Sequence, residues 1–253
     1  ILPRDLPPSF ARSLQSHPDY RSGPKLSVSY LLFNVRRPPF DQAEWRKAFV
    51  EALDREELSS FFEGAQSATS SWIPPGLLGF NPGLGIRANG QGKTGFPARQ
   101  ISVRFSGSDT WNLVFQNLQR RLAEKLGVKL RLEQLESREF QKLLAQMSGP
   151  GRLKAENMPS LMLLGWVADY PDPHNFMNLF TSASENNYLG WKNARYDELV
   201  EKALSAAEET GRKFFYQEAQ KLLLEEEVVL MPLFLNSHQA LVRSNLKIGR
   251  AHV

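Results

Sequence analysis

Between residues 99 and 166 the chain alternates short apolar runs with amphipathic helical stretches, and this rhythm constrains the fold more than any other feature. In ISVRF (101–105), Ile101, Val103 and Phe105 fall on one face, the period of a half-buried strand. From Asp109 to about Leu126 the apolar positions are Val114, Phe115, Leu118, Leu122 and Leu126, a helical stripe that Gly127 ends. VKLRL alternates again at Val128, Leu130 and Leu132, and Ser137 opens a second helix holding Phe140, Leu143 and Leu144. SLMLLGW (160–166) is apolar throughout, as a strand buried on both faces must be. Strand, helix, strand, helix, strand with short connections predicts right-handed crossovers and a mostly parallel sheet. The fold class is therefore α/β.

The flanking segments supply further elements. Residues 1–24 carry Pro3, Pro7, Pro8, Pro18 and Pro24 and are expected to be irregular or extended. LSVSYLLFNV (26–35) reads as a strand, stopped by Pro38 and Pro39. Asp41 to Leu53 is an amphipathic helix with Asp41 and Glu44 as a reciprocal cap, and Asp54 with Glu57 repeats that pattern before a short helix reaching about Phe62. A loop rich in Gly and Pro covers about 67–98, and a loop of that length is functional or packs on itself. Helices follow at about 196–207 and 211–226. VVLMPLFL (228–235) is a last strand, with Pro232 at an edge or bulge. Trp45, Phe49, Phe61, Phe62, Phe214 and Phe215 are expected in the core, and Arg46 and Arg55 in solvent or beside neighbouring acids.

Enzymatic constellations are missing. The histidines, His17, His174, His238 and His252, show no metal-ligand spacing. HExxH, GxSxG, a P-loop and GxGxxG behind a strand do not occur. NGQGKTG (89–95) lacks phosphate-loop spacing and a preceding strand. Without cysteine there is no disulfide, thiolate metal site or thiol nucleophile. The net charge, 31 − 27 = +4, is spread along the chain and speaks against a nucleic-acid partner. No apolar run approaches the roughly 20 residues of a membrane span.

What stands out is GWVADYPDP (165–173), just past the carboxyl end of the buried strand, where open α/β sheets bind their ligands. Trp166 offers an apolar wall with one N–H donor. Asp169 offers a charge that is costly to bury unless a cation meets it. The prolines hold the backbone, so such a carboxylate would be preorganised. Asp172, between prolines, also suits a plain turn or cap, and Trp166 also suits the core.

Several blocks together resemble one family. FNVRRPPFDQAEWRKAFVEALDREEL (33–58), WVADYPDPHNFMNLF (166–180), NNYLGWKNARYDELVEKA (186–203) and YQEAQKLLLEEEVVLMPLFL (216–235) are similar, in this order, to blocks of the extracytoplasmic solute-binding proteins of peptide ABC importers. The resemblance implies a two-lobed periplasmic-binding-protein-like fold closing on its ligand, with this chain as the C-terminal half. Residues 1–30 would end the first lobe and cross over, 31–227 would form the second α/β ligand-binding lobe, and 228–247 would return as a crossing strand. IGRAHV (248–253) matches the translation of a common sequencing adapter and is read as a non-native tail.

The resemblance further implies that Asp169 meets a peptide's α-ammonium group with Trp166 beside the ligand; Tyr170 and Asn34 complete the candidate ligand-binding residues. Where some relatives carry carboxylate-reading arginines before the tryptophan, this chain has Leu163 and Leu164. No catalytic residue, metal or cofactor is implied. The implied partners are a peptide or other small solute and the membrane permease of the importer, met by a periplasmic or lipid-anchored monomer. Nickel complexes, haem and oligosaccharides are alternative ligands within the family, and the sensor domain of a transcriptional regulator is the alternative role.

Overall fold

The computed structural model describes residues 13–89, 93–149 and 151–243. The proline-rich start up to residue 12, the middle of NGQGKTG and the proposed tail 248–253 lie outside them.

The core element is the two-faced strand β1 (Tyr20–Phe33). Its residues Val28, Tyr30 and Leu32 point into one apolar cluster, and Leu31 and Phe33 into another on the opposite face. The continuous apolar run Leu161–Leu164 does the same in β5 (Leu161–Val167). Around them run β2 (Gln66–Ala68), β3 (Gln100–Phe105), β4 (Lys129–Gln134) and β6 (Leu230–Leu241), in the sheet order β2-β6-β1-β5-β3-β4.

The expected parallel crossovers occur at one side only: β3 pairs parallel with β4 and with β5. The helix α3 (Asp109–Leu126) and the helix α4 (Ser137–Met147) make these crossovers on opposite faces. The other pairs, β1 with β5, β1 with β6 and β2 with β6, are antiparallel. The sheet is therefore mixed rather than mostly parallel. β1 and β6 come from distant parts of the chain and are not joined by a local crossover that would dictate their direction.

On the face of Leu31 lie α1 (Ala43–Glu51), α2 (Arg55–Ser59) and α3; on the face of Tyr30 lie α4, α5 (His174–Met177), α6 (Ala194–Ser205) and α7 (Glu209–Lys221), the last running into a π-helical turn (Leu222–Glu226). Helix ends follow local rules in most places. Asp54 accepts the Glu56 N–H at 2.9 Å, Asn193 accepts that of Tyr196 at 3.1 Å, and Gly127 closes α3 in the left-handed region at φ 68°.

Three expectations need correction. Asp41 does not cap α1: the helix begins one residue past Gln42 with no side-chain cap, and Glu44 instead pairs with Lys93, whose ammonium lies 4.8 Å over the Trp45 ring. Phe214 is 57% exposed, because α7 turns that position outward, while its neighbour Phe215 packs on the core. Arg46 and Arg55 are not in solvent. Both are buried and donate to main-chain carbonyls, Arg46 to Phe40, Glu227 and Val228, and Arg55 to Pro232 (2.6 Å) and Ile86 (2.8 Å). Pro232 does sit at a bulge, where Tyr30 faces it and Ser29 faces Phe234. The guanidinium of Arg55 satisfies a carbonyl beside that irregularity.

The long loop packs on the molecule. Trp72 and Ile73 are fully buried, and the Gln220 side chain bonds the Ile73 N–H (3.0 Å), Ser71 (3.2 Å) and the Gly79 carbonyl (2.9 Å). Gly85, at φ 89°, passes so close to Ser70 that a Cβ there would lie 2.4 Å from the Ser70 carbonyl oxygen.

Candidate functional site

β5 ends at the sheet's carboxyl edge, and the chain then turns sharply through 168–173. The turn is held at both ends. The Ala168 N–H donates to Leu26 at 2.8 Å, continuing the ladder to β1 by one residue. At the far end Asp172 accepts the His174 N–H at 2.8 Å, opening α5. Arg212, on α7, places one nitrogen 2.8 and 2.9 Å from the two Asp172 oxygens, and its guanidinium lies 5.4 Å from the Tyr216 ring centre. Asp172 is thus committed to the fold, as its position between prolines allows.

Asp169 is placed differently. It is exposed, and among the described residues no basic side chain forms an ion pair with it. One of its oxygens lies 3.4 Å from the amide nitrogen of Asn175. The Asn175 amide oxygen in turn accepts the Trp166 indole N–H at 2.7 Å and meets the Asp169 N–H at 3.4 Å. Trp166 lies half-buried, packed on the Tyr30-side core and partly open. Tyr170 is 47% exposed beside Asp169. Asn175 is the residue that sequence reading missed. Its signal was present in the DPHN spacing, which sets a carboxamide one turn after the Asp-Pro cap, but nothing in the sequence says which way it points.

Two recesses flank the strand end and share Gly165. One, of about 320 Å³, opens between Ser106, Ser137, Phe140 and Leu163. The other, of about 420 Å³, lies over Trp111 and Val167 and is bordered by Lys25, Ser27 and Asn236. Asn236 bonds the Ser27 hydroxyl (2.9 Å), the Ser29 hydroxyl (3.3 Å) and Gln66 (2.7 Å), so this wall is a connected polar network. No group of histidine and acidic side chains suited to a metal ion occurs among the described residues.

Asn34 does not join this cluster. Its N–H pairs with the Ser160 carbonyl, its amide donates to Ala155 (2.9 Å), and it is 2% exposed. Ser160 lies six residues before Trp166, roughly 20 Å away along the strand, at the opposite edge of the sheet. Because β1 runs antiparallel to β5, the end of one strand meets the beginning of the other. Asn34 is held by these bonds at the edge far from Asp169.

His174 makes the turn sensitive to acid. Its Nδ1 is buried without a hydrogen-bond partner. Burial first, and Arg212 as well, hold the imidazole below its ordinary pKa of 6.5, against the pull of Asp172 and Glu201. The unfolded chain therefore takes up this proton first as pH falls. Stability is expected to decline on acidification from about pH 6.5 and to level off once the folded form also protonates. Urea midpoints across this range should show the decline, and His174→Gln should flatten it.

A mixed sheet, helices on both faces and a recess at the carboxyl edge define a periplasmic-binding-protein-like α/β lobe. The chain belongs to the bacterial extracellular solute-binding proteins, family 5: the model of that family's middle region matches residues 2–188. It is 26% identical over 238 residues to the "Probable deoxycholate-binding periplasmic protein YgiS" of Escherichia coli, covering 92% of this chain and 44% of that protein. It is also 26% identical over 225 residues to the "Dipeptide-binding protein DppE" of Bacillus subtilis, covering 81% of this chain and 39% of that protein. Among solved structures, the Escherichia coli murein tripeptide binding protein MppA superimposes with a TM-score of 0.78 at 18% identity, over 96% of this chain and 49% of its own. The chain thus spans less than half the length of the curated relatives it matches.

Proposed function

We propose that this chain is one lobe of the substrate-binding component of an ABC importer, that it captures peptides by their free amino terminus, and that it hands them to a membrane permease. It acts outside the cytoplasm as a monomer and catalyses nothing. The ribbon of residues 20–24 and 237–241, which pair with each other, would lead to the second lobe. The ligand would lie against the carboxyl edge of β5, with Trp166 and Tyr170 beside it.

The observation that carries this reading is the Asp169 carboxylate, exposed at the lip of the sheet and in an ion pair with no cation among the described residues. In a cleft shut away from water an ammonium group meets such a carboxylate in a strong charge-assisted hydrogen bond. The same charge disfavours deoxycholate, itself a carboxylate, as the ligand at this point. The relative DppE, by its name a dipeptide binder, supports the peptide reading.

A tripeptide library, unmodified and N-acetylated, would be screened by thermal shift on the two-lobed protein, followed by calorimetry on the best tripeptide. Asp169→Ala is expected to weaken its binding by about 2–4 kcal/mol and to leave the acetylated form little affected. Equal affinity of the unmodified protein for both forms would remove the role of Asp169.

A further inference from the structure

We propose that Asn175 is the positioning residue of this site: it aims the Asp169 carboxylate and leaves one carboxylate oxygen free for the ligand's cation. This rests on the reading of Asp169 given above.

The geometry has a direction built into it. An indole N–H can only donate, so the group it meets at 2.7 Å must be the amide oxygen of Asn175. The Trp166 ring therefore sets which end of the carboxamide faces Asp169. The amide nitrogen is left pointing at one carboxylate oxygen, 3.4 Å away. A reversed amide would face its oxygen toward the Asp169 carboxylate and its N–H groups toward the indole and Asp169 N–H donors, with the indole proton unmet. Asn175 is only 7% exposed and sits on α5, which is anchored by Asp172, Arg212 and the bond from the Trp72 indole to the Phe176 carbonyl (2.9 Å). The amide has little freedom to turn away. The carboxylate beyond it sits on an exposed turn and would otherwise sample several rotamers. With one oxygen tethered, the other is left as an acceptor for a cation.

The test uses the tripeptide and its N-acetylated form as probes. In Asn175→Ala, the preference for the free amino terminus is expected to fall about tenfold, with the acetylated form bound as before. Asn175→Gln keeps the amide but shifts it by one methylene, and it should lose preference similarly while keeping the buried group polar. In an Asp169→Ala background, Asn175→Ala should cause no further loss, since both act through one contact. The Trp166 indole N–H cross-peak should shift in both Asn175 variants.

Equal weakening of both probes by the Asn175 variants would reduce Asn175 to a structural role and overturn the proposal. So would an undiminished preference with either variant. If the unmodified protein itself shows no preference, the reading of Asp169 fails, and the role of Asn175 with it; a shifted indole peak would then mark a contact without that function.

Discussion

Replacing Arg46 with methionine is expected to cost about 3–5 kcal/mol of folding stability. The guanidinium is 3% exposed and ties together three carbonyls: that of Phe40 at 2.6 Å and those of Glu227 and Val228 at 2.9 and 3.0 Å. Its ion-pair partner Glu227 is 3.9 Å away and partly exposed, and Asp41 adds a more distant negative charge, so the guanidinium is balanced chiefly by main-chain dipoles. Val228 adds to the demand. It holds φ at 45°, where a β-branched side chain is strained, and the chain must make this bend to enter β6. Methionine fills the space but leaves buried carbonyls without donors. Lysine should rescue little, because a single ammonium cannot reach both the Phe40 side and the Glu227 side as a planar fork does. Urea unfolding of both variants measures this, and a loss below about 1 kcal/mol for methionine would show that the carbonyls find other partners.

Trp72→Ala is expected to cost a similar amount, about 3–5 kcal/mol. The side chain is fully buried and meets Tyr30, Phe176 and Phe180 edge-on, with ring centres 4.8, 5.5 and 5.5 Å apart. Truncation opens a cavity between a loop, the central strand and α5, and rings that make T-shaped contacts cannot collapse into it without losing them. The Phe176 carbonyl also loses its indole donor. Trp72→Phe separates the two contributions, since it restores most of the volume but not the bond and should cost about 1–3 kcal/mol. Equilibrium unfolding read away from the tryptophans provides the comparison. A near-neutral Trp72→Ala would mean that the loop 69–80 is not part of the cooperative core.

Much of the architecture was visible in patterns of apolar residues. The stripe from Val114 to Leu126 is buried as read, and the alternation Ile101, Val103, Phe105 faces that helix. These are local periodicities, set by how side chains leave a helix or a strand. The pairing of β1 with β5 and β6 was not visible, because strand direction depends on contacts between segments more than 100 residues apart. For the same reason β1 and β6 run longer than their apolar runs: Tyr20–Pro24 and Ser237–Leu241 are strand only because they pair with each other. Arg46 and Arg55 were misread because an arginine on an amphipathic helix looks the same whether it meets water or a carbonyl from another part of the chain.

In the site, residue chemistry and chain position were enough to single out GWVADYPDP and its strand end. They set Asp169 apart from Asp172, whose place between prolines suits a turn or cap, but could not show which cation would hold the latter. Arg212, brought in on α7, takes Asp172, while Asp169 is left to the edge of the sheet. Nor could they place Asn34, which the antiparallel register carries to the far edge. Local order along the chain settles what each segment can become and which groups it carries. Which of those groups are already satisfied, and which remain for a ligand, is settled by partners that arrive from elsewhere when the chain closes on itself, since hydrogen bonds and ion pairs act over a few ångströms of space and take no account of distance along the sequence.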